Sequence, residues 1–95
     1  MKMTSDLVQQ TIAQLNARAI PENHGALAKL QELFGDHTFF IDINGLNIVE
    51  ADHARDGRLM GTVYNLASWC DDNLEQLVTH EPQEMEFEIV LARLH

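Results

Sequence analysis

The 95-residue sequence has one cysteine, Cys70, so the chain has no pair from which to build an internal disulfide. It also lacks any apolar run of about 18 residues, the length that a membrane-spanning helix needs. The first ten residues do not contain the apolar stretch of a secretory signal peptide. These absences favour a reducing, cytoplasmic location, and we expect no membrane association.

Basic residues are scarce as well. The sequence contains six Lys and Arg residues against fifteen Asp and Glu residues, for a net charge of -9. From residue 36 onward, twelve carboxylates are opposed only by Arg55, Arg58 and Arg93. A field of this sign repels nucleic-acid phosphates and anionic membrane surfaces. We therefore expect no nucleic-acid binding, and a partner that is either a basic protein or a second copy of this chain.

Recognisable catalytic and cofactor motifs are missing from the sequence. There is no phosphate-binding Gly-rich loop, no Gly-x-Ser-x-Gly elbow, no His-Glu-x-x-His pair and no EF-hand loop. A chain of this length suffices for one domain, so we expect residues 1–95 to share a single core. We expect no cofactor and favour a binding protein over an enzyme.

Two helices are predicted at the start of the chain. The first begins at Thr4 or Ser5, either of which can cap exposed amides, and runs to about Ala19. The second follows Pro21, or is capped by Asn23, and ends at Gly35. Each carries an apolar stripe: Val8, Ile12, Leu15 and Ala19 in the first, and Leu27, Leu30, Leu33 and Phe34 in the second. The short connection favours an antiparallel helical pair.

A β-hairpin is the clearest local prediction. In TFFIDI-NG-LNIVEA, the Asn44-Gly45 dipeptide separates two strand-like runs and favours a type I′ turn. That turn pairs Ile41 with Ile48 and Phe40 with Val49. One face of the hairpin is then apolar and suited to cover by the helices; it comprises Phe39, Ile41, Ile43, Leu46 and Ile48.

Three further elements are predicted downstream. Residues 59–67 form a third strand, and residues 68–79 form a short helix that begins with the Ser-x-x-acid pattern at Ser68 and stops before Pro82. Residues 84–91 alternate as a fourth strand, with Met85, Phe87, Ile89 and Leu91 inward. The expected fold is α+β: two N-terminal helices packed on one face of a three- to four-stranded antiparallel sheet, with a short helix before the last strand.

Extending the hairpin register outward pairs His37 with Asp52 and Asp36 with His53. Histidine and aspartate together can ligate divalent metal ions or act as an acid–base couple. Neighbouring strand residues point to opposite faces, however, so the two pairs do not readily converge on one ion. Plain ion pairing at the strand ends is the favoured interpretation, and a small metal-binding or acid–base enzyme is the alternative.

A contact surface is predicted on the second face of the hairpin. Phe40 and Val49 form an apolar pair there beside Asp42, and Tyr64 of the third strand is a further candidate anchor. Either the helix at residues 68–79 covers this face, or a second copy of the chain does, which would make a homodimer.

The last strand also carries an acidic patch of Glu81, Glu84, Glu86 and Glu88. This patch is either a docking surface or a solvated face that keeps a small protein soluble. The leading hypothesis is a non-enzymatic interaction or regulatory module that acts as a homodimer or binds a protein partner. A narrower version is an inhibitor or antitoxin-like protein that binds a basic partner.

Cys70 lies at the predicted start of the third helix, where the helix dipole could favour a thiolate. The carboxylates of Asp71 and Asp72 oppose thiolate formation. We expect a buried or half-buried structural thiol.

Overall fold

The computed structural model describes residues 1–71 and 73–93, without the side chain of Phe87, so the inward position predicted for Phe87 lies outside the described part. The protein is α+β, as predicted. Its elements are α1 Ser5–Leu15, β1 Arg18–Ala19, α2 Leu27–Phe34, β2 Phe40–Asp42, β3 Gly45–Arg55, β4 Arg58–Trp69 and β5 Leu77–Arg93. The strands form one antiparallel sheet in the order β1-β2-β3-β4-β5, which is more strands than predicted. Neither helix in these residues has the length and apolar composition to cross a membrane.

Helix α1 is shorter than predicted because Asn16 ends it. Thr4 caps its first turn, accepting a hydrogen bond from the Leu7 amide. Asn16 takes a left-handed conformation, with φ of 53°, and its amide bonds to the Ile12 carbonyl. The residues beyond it pair with β2 as the short strand β1.

The two helices cover opposite faces of the sheet, so the predicted antiparallel pair on one face is wrong. Helix α1 packs with Phe40 and Val49 in one core cluster. Helix α2 packs with Phe39 and Ile48 in a second cluster. Consecutive strand residues point to opposite faces, so neighbours such as Phe39 and Phe40 fall in different clusters.

The register between β2 and β3 differs from the prediction by two residues. Phe40 pairs with Asn47 and Asp42 pairs with Gly45, so the turn residues are Ile43 and Asn44. Neither turn residue has a positive φ, which rules out a type I′ turn here; Gly45 takes φ of 116° instead. An even shift keeps each strand residue on its face but moves Ile43 into the turn, where it is 78% exposed.

The type I′ turn occurs in the next hairpin. Asp56 and Gly57 have φ angles of 53° and 73°, and they join Arg55 of β3 to its partner Arg58 of β4. Asp-Gly favours this turn as Asn-Gly does, so the same sequence signal is present at both positions.

The predicted helix at residues 68–79 is wrong, because its first two residues belong to β4 and its last three to β5, and β5 is longer than the predicted strand at residues 84–91. Trp69 pairs with Leu77, so the chain reverses between these two residues and then continues as strand. Its 17 residues pair with the 12 of β4 through three register shifts. Pro82 is tolerated because β5 is an edge strand.

Helix α1 covers the outer edge of β5 at one point. The side-chain amide of Gln14 accepts from the Val90 amide at 2.8 Å and donates to the Val90 carbonyl at 2.9 Å. Met85, Ile89 and Leu91 pack in the cluster under α1, as their predicted inward positions require.

Candidate functional site

Part of the sheet face opposite α1 is left open. Glu50, Thr62 and Glu88 form a row across β3, β4 and β5. Their preceding or following residues on each strand pack under α1, so this row points to the other face. Helix α2 packs over another part of that face, where Tyr64 contacts the α2 cluster. Thr62, in the middle of the row, is 2% exposed, whereas the side chains of Glu50 and Glu88 at its ends are 43% and 29% exposed.

An open depression of about 400 Å³ lies on this part of the sheet. We call it the acidic cleft; it is lined by Asp52, His53, Thr62, Glu84, Met85, Glu86 and Glu88. None of these lining residues is Lys or Arg. The cleft therefore presents carboxylates to solvent, and its chemistry suits a cation.

Three titratable side chains meet in the acidic cleft. His53 Nδ1 lies 3.1 Å from Asp52 Oδ2, and His53 Nε2 lies 3.4 Å from Glu88 Oε2. One ligand atom from each residue can be chosen so that all lie within 4.8 Å of one another, and all three residues are exposed. Arg55 approaches Glu88 from outside, with Nη1 at 3.4 Å from Oε1.

The carboxylate of Asp52 is held in its ionised form. The buried Thr62 hydroxyl donates to Asp52 Oδ2 at 2.8 Å. This hydrogen bond, followed by the contact with the His53 ring, lowers the pKa of Asp52. Asp52 is thus a permanent anion over the neutral pH range, positioned by a side chain from the neighbouring strand.

The His–Asp pairs predicted from the hairpin do not form. Moving the register by two residues puts Glu50, rather than Asp52, opposite His37, and His37 Nδ1 lies 3.0 Å from Glu50 Oε1. Asp36 instead contacts Lys2, with Oδ1 3.7 Å from Nζ. The structure therefore separates the four predicted metal ligands: Asp52 and His53 lie in the acidic cleft, and Asp36 and His37 lie elsewhere.

The predicted contact surface is not a surface. Phe40 and Val49 have no exposed area and lie under α1, which is the cover that the sequence prediction assigned to a later helix or a second copy. Tyr64 packs on the opposite side of the sheet. Asp42 lies at the β2–β3 turn, where Oδ1 accepts from the Asn44 amide and the carbonyl accepts from the Trp69 indole.

The acidic patch is divided by the structure. Glu84, Glu86 and Glu88 line the acidic cleft, whereas Glu81 is exposed outside its lining. Cys70 is exposed in the reversal after β4, so the expectation of a buried or half-buried thiol is wrong. Cys70 directly follows β4 instead of starting a helix, so the dipole argument for its reactivity is also wrong.

Thr62 is the site residue that the sequence reasoning missed. A strand prediction over residues 59–67 was available, and the type I′ turn at Asp56-Gly57 brings β4 back along β3. That turn alone would put Gly61 opposite Asp52 and point Thr62 to the other face. The register shift between Ala51 and Ala54 brings Thr62 to Asp52, and no local pattern in the sequence reports that shift.

Comparisons of the chain with protein-family models, curated proteins and solved structures found no match.

Proposed function

We propose that the chain is a small non-enzymatic binding module that recognises a basic protein segment through the acidic cleft. One observation carries the proposal: Asp52, Glu84, Glu86 and Glu88 line a single open depression. Like charges gathered in this way repel one another, and a cationic partner relieves that repulsion.

The form of the cleft supports a protein segment as the partner. The depression is open to solvent along β5, the edge strand, and its carboxylates come from two strands that are separated by β4. Lys and Arg side chains can reach such carboxylates without desolvating them fully. Their long-range attraction mainly speeds association and makes it sensitive to salt.

A homodimer through Phe40 and Val49 has no place in this proposal. Both side chains are buried under α1 in the same chain, so exposing them would open the core. We therefore place the binding surface in the acidic cleft, on the opposite side of the sheet from the predicted apolar pair.

Fluorescence anisotropy with a labelled Lys- and Arg-rich decapeptide tests the proposal. We expect binding that weakens steeply as salt is raised. The triple variant Glu84→Gln, Glu86→Gln, Glu88→Gln should bind about tenfold more weakly, because three exposed charge pairs contribute roughly 0.2–1 kcal/mol each.

A matched triple variant separates the cleft from net charge alone. Asp6→Asn, Glu32→Gln and Glu75→Gln remove the same charge from exposed positions outside the cleft lining. We expect peptide affinity within about twofold of the unmodified chain, since screened charges at a distance contribute little. Equal weakening by both triples, or no binding at low salt, would contradict the proposal.

A further inference from the structure

We propose that the acidic cleft holds a first-row divalent transition-metal ion, bound by Nε2 of His53 and the carboxylate of Glu88, with Asp52 and Thr62 positioning the His53 ring. This inference goes beyond recognition of a basic segment and does not depend on it.

The donor set fits such an ion. Imidazole nitrogen suits zinc, copper, iron and nickel, and a carboxylate oxygen completes a mixed nitrogen–oxygen pair. His53 lies on β3 and Glu88 on β5, so two hairpins bring the donors together across β4. Both residues are exposed, which leaves the remaining coordination positions to water.

The distance between the two donor atoms is compatible with one shared ion. A charge-assisted N–H···O hydrogen bond is about 2.7–2.9 Å long. His53 Nε2 and Glu88 Oε2 are 3.4 Å apart, which is longer than that range. Two atoms bound to a tetrahedral ion at about 2.0–2.1 Å are separated by roughly 3.3 Å. One ion can therefore contact both atoms with little movement of either side chain.

Asp52 and Thr62 orient the His53 ring for metal binding. Ligating histidines usually direct their second ring nitrogen at a carboxylate, which selects the tautomer and orients the ring. Here Asp52 Oδ2 faces His53 Nδ1 at 3.1 Å, and the Thr62 hydroxyl holds Asp52 at 2.8 Å. With the proton on Nδ1, the lone pair of Nε2 points toward the Glu88 side.

The positive charge of Arg55 opposes metal binding at Glu88. Its guanidinium lies 3.4 Å from the second oxygen of Glu88 and competes with a metal ion for that carboxylate. Removing this cation should therefore strengthen metal binding. If a protonated His53 only bridged the carboxylates of Asp52 and Glu88, removing Arg55 would not increase the metal affinity.

Isothermal titration calorimetry of the full chain with Zn²⁺ tests the site. We expect saturable binding of one ion per chain, lost in His53→Gln and in Glu88→Gln. Thr62→Val should weaken binding about tenfold, as loss of an orienting partner does, and Thr62→Ser should restore it. Arg55→Gln should strengthen binding about two- to fivefold.

Two controls keep the outcome decisive. His37 also lies beside a glutamate, yet His37→Gln should leave the Zn²⁺ affinity unchanged. Nitrogen-15 NMR of the imidazoles should show His53 protonated on Nδ1 alone in the zinc-loaded chain. Absence of saturable binding, equal loss in His37→Gln and His53→Gln, or a ring protonated on both nitrogens with zinc present would overturn the inference. Each result can be read without the basic peptide, so failure here and failure of the proposed function are distinguishable.

Discussion

The two faces of the sheet differ in how completely a helix covers them. The eleven residues of α1 cover one face over a buried cluster that runs from Phe40 to Ile89 and Leu91, and we call this cluster the sealed face. The eight residues of α2 cover only part of the other face, and the carboxylates of Glu50 and Glu88 reach solvent outside that part. A small domain has little material to cover two faces. In this chain, one face supplies stability and the uncovered part of the other supplies the candidate site.

The largest effect should come from emptying the sealed face. We expect Phe40→Ala to lower the free energy of unfolding by about 3–5 kcal/mol, because it removes a fully buried ring and leaves a cavity. Urea unfolding measures this loss. Ile43→Ala, at the exposed turn of the same hairpin, should change stability by less than about 0.5 kcal/mol. Similar losses in both variants would contradict the difference between buried and exposed positions.

Overfilling the sealed face should have an intermediate effect. A Cβ at Gly61 would lie 2.8 Å from Val49 Cγ1 and 3.0 Å from Leu91 Cδ1. We expect Gly61→Ala to cost about 1–3 kcal/mol in thermal or urea unfolding, because the packed side chains must move. Gly25→Ala meets nothing within 4 Å and should be neutral or slightly stabilising. A neutral Gly61→Ala would show that the α1 face is more loosely packed than described.

The smallest effect on stability should come from the open face. Thr62→Val removes the hydrogen bond that comes first in lowering the pKa of Asp52, so that pKa should rise toward its ordinary value. A carboxyl group with a lowered folded-state pKa stabilises the fold above its unfolded pKa, and this contribution is lost as pH falls through the folded pKa. The variant should therefore lose less stability than the unmodified chain on acidification.

Carbon-13 NMR of the Asp52 carboxyl group and melting curves between pH 7 and pH 2 measure both effects. Thr62→Ser, which keeps the hydroxyl, serves as the control. An unchanged Asp52 pKa in Thr62→Val would show that the Thr62 hydroxyl does not stabilise the Asp52 carboxylate.

Local patterns in the sequence were enough for the fold class, the end of the second helix at Gly35 and the strand nature of residues 84–91, whereas the second helix begins at Leu27 rather than after Pro21 or Asn23. They were not enough to choose between Asn44-Gly45 and Asp56-Gly57 as the type I′ turn, since both dipeptides favour it. At the first, Gly45 is needed in the strand itself, because a Cβ there would lie 2.0 Å from the Ala67 carbonyl oxygen. That close approach between β3 and β4 is a tertiary contact, and no local pattern reports it.

Strand pairing explains both the part of the predicted site that is wrong and the part that remains. Asp36 and His37 were joined to Asp52 and His53 through a register that the turn geometry did not support. Asp52 and His53 nevertheless meet Glu88, because β4 carries β5 back alongside them. The helix predicted at Ser68 failed because a capping pattern is weak evidence beside the pairing of Trp69 with Leu77.

The side-chain amide of Gln14 mimics a neighbouring strand by engaging both backbone groups of Val90. Open sheet edges invite other chains to add on, which leads to fibrils and precipitates. A strand that adds to β5 would have to displace Gln14 at one end. Along the rest of β5 it would meet register shifts, Pro82 and several glutamates. Helix α1 therefore also blocks the addition of another strand at the Gln14 end of β5.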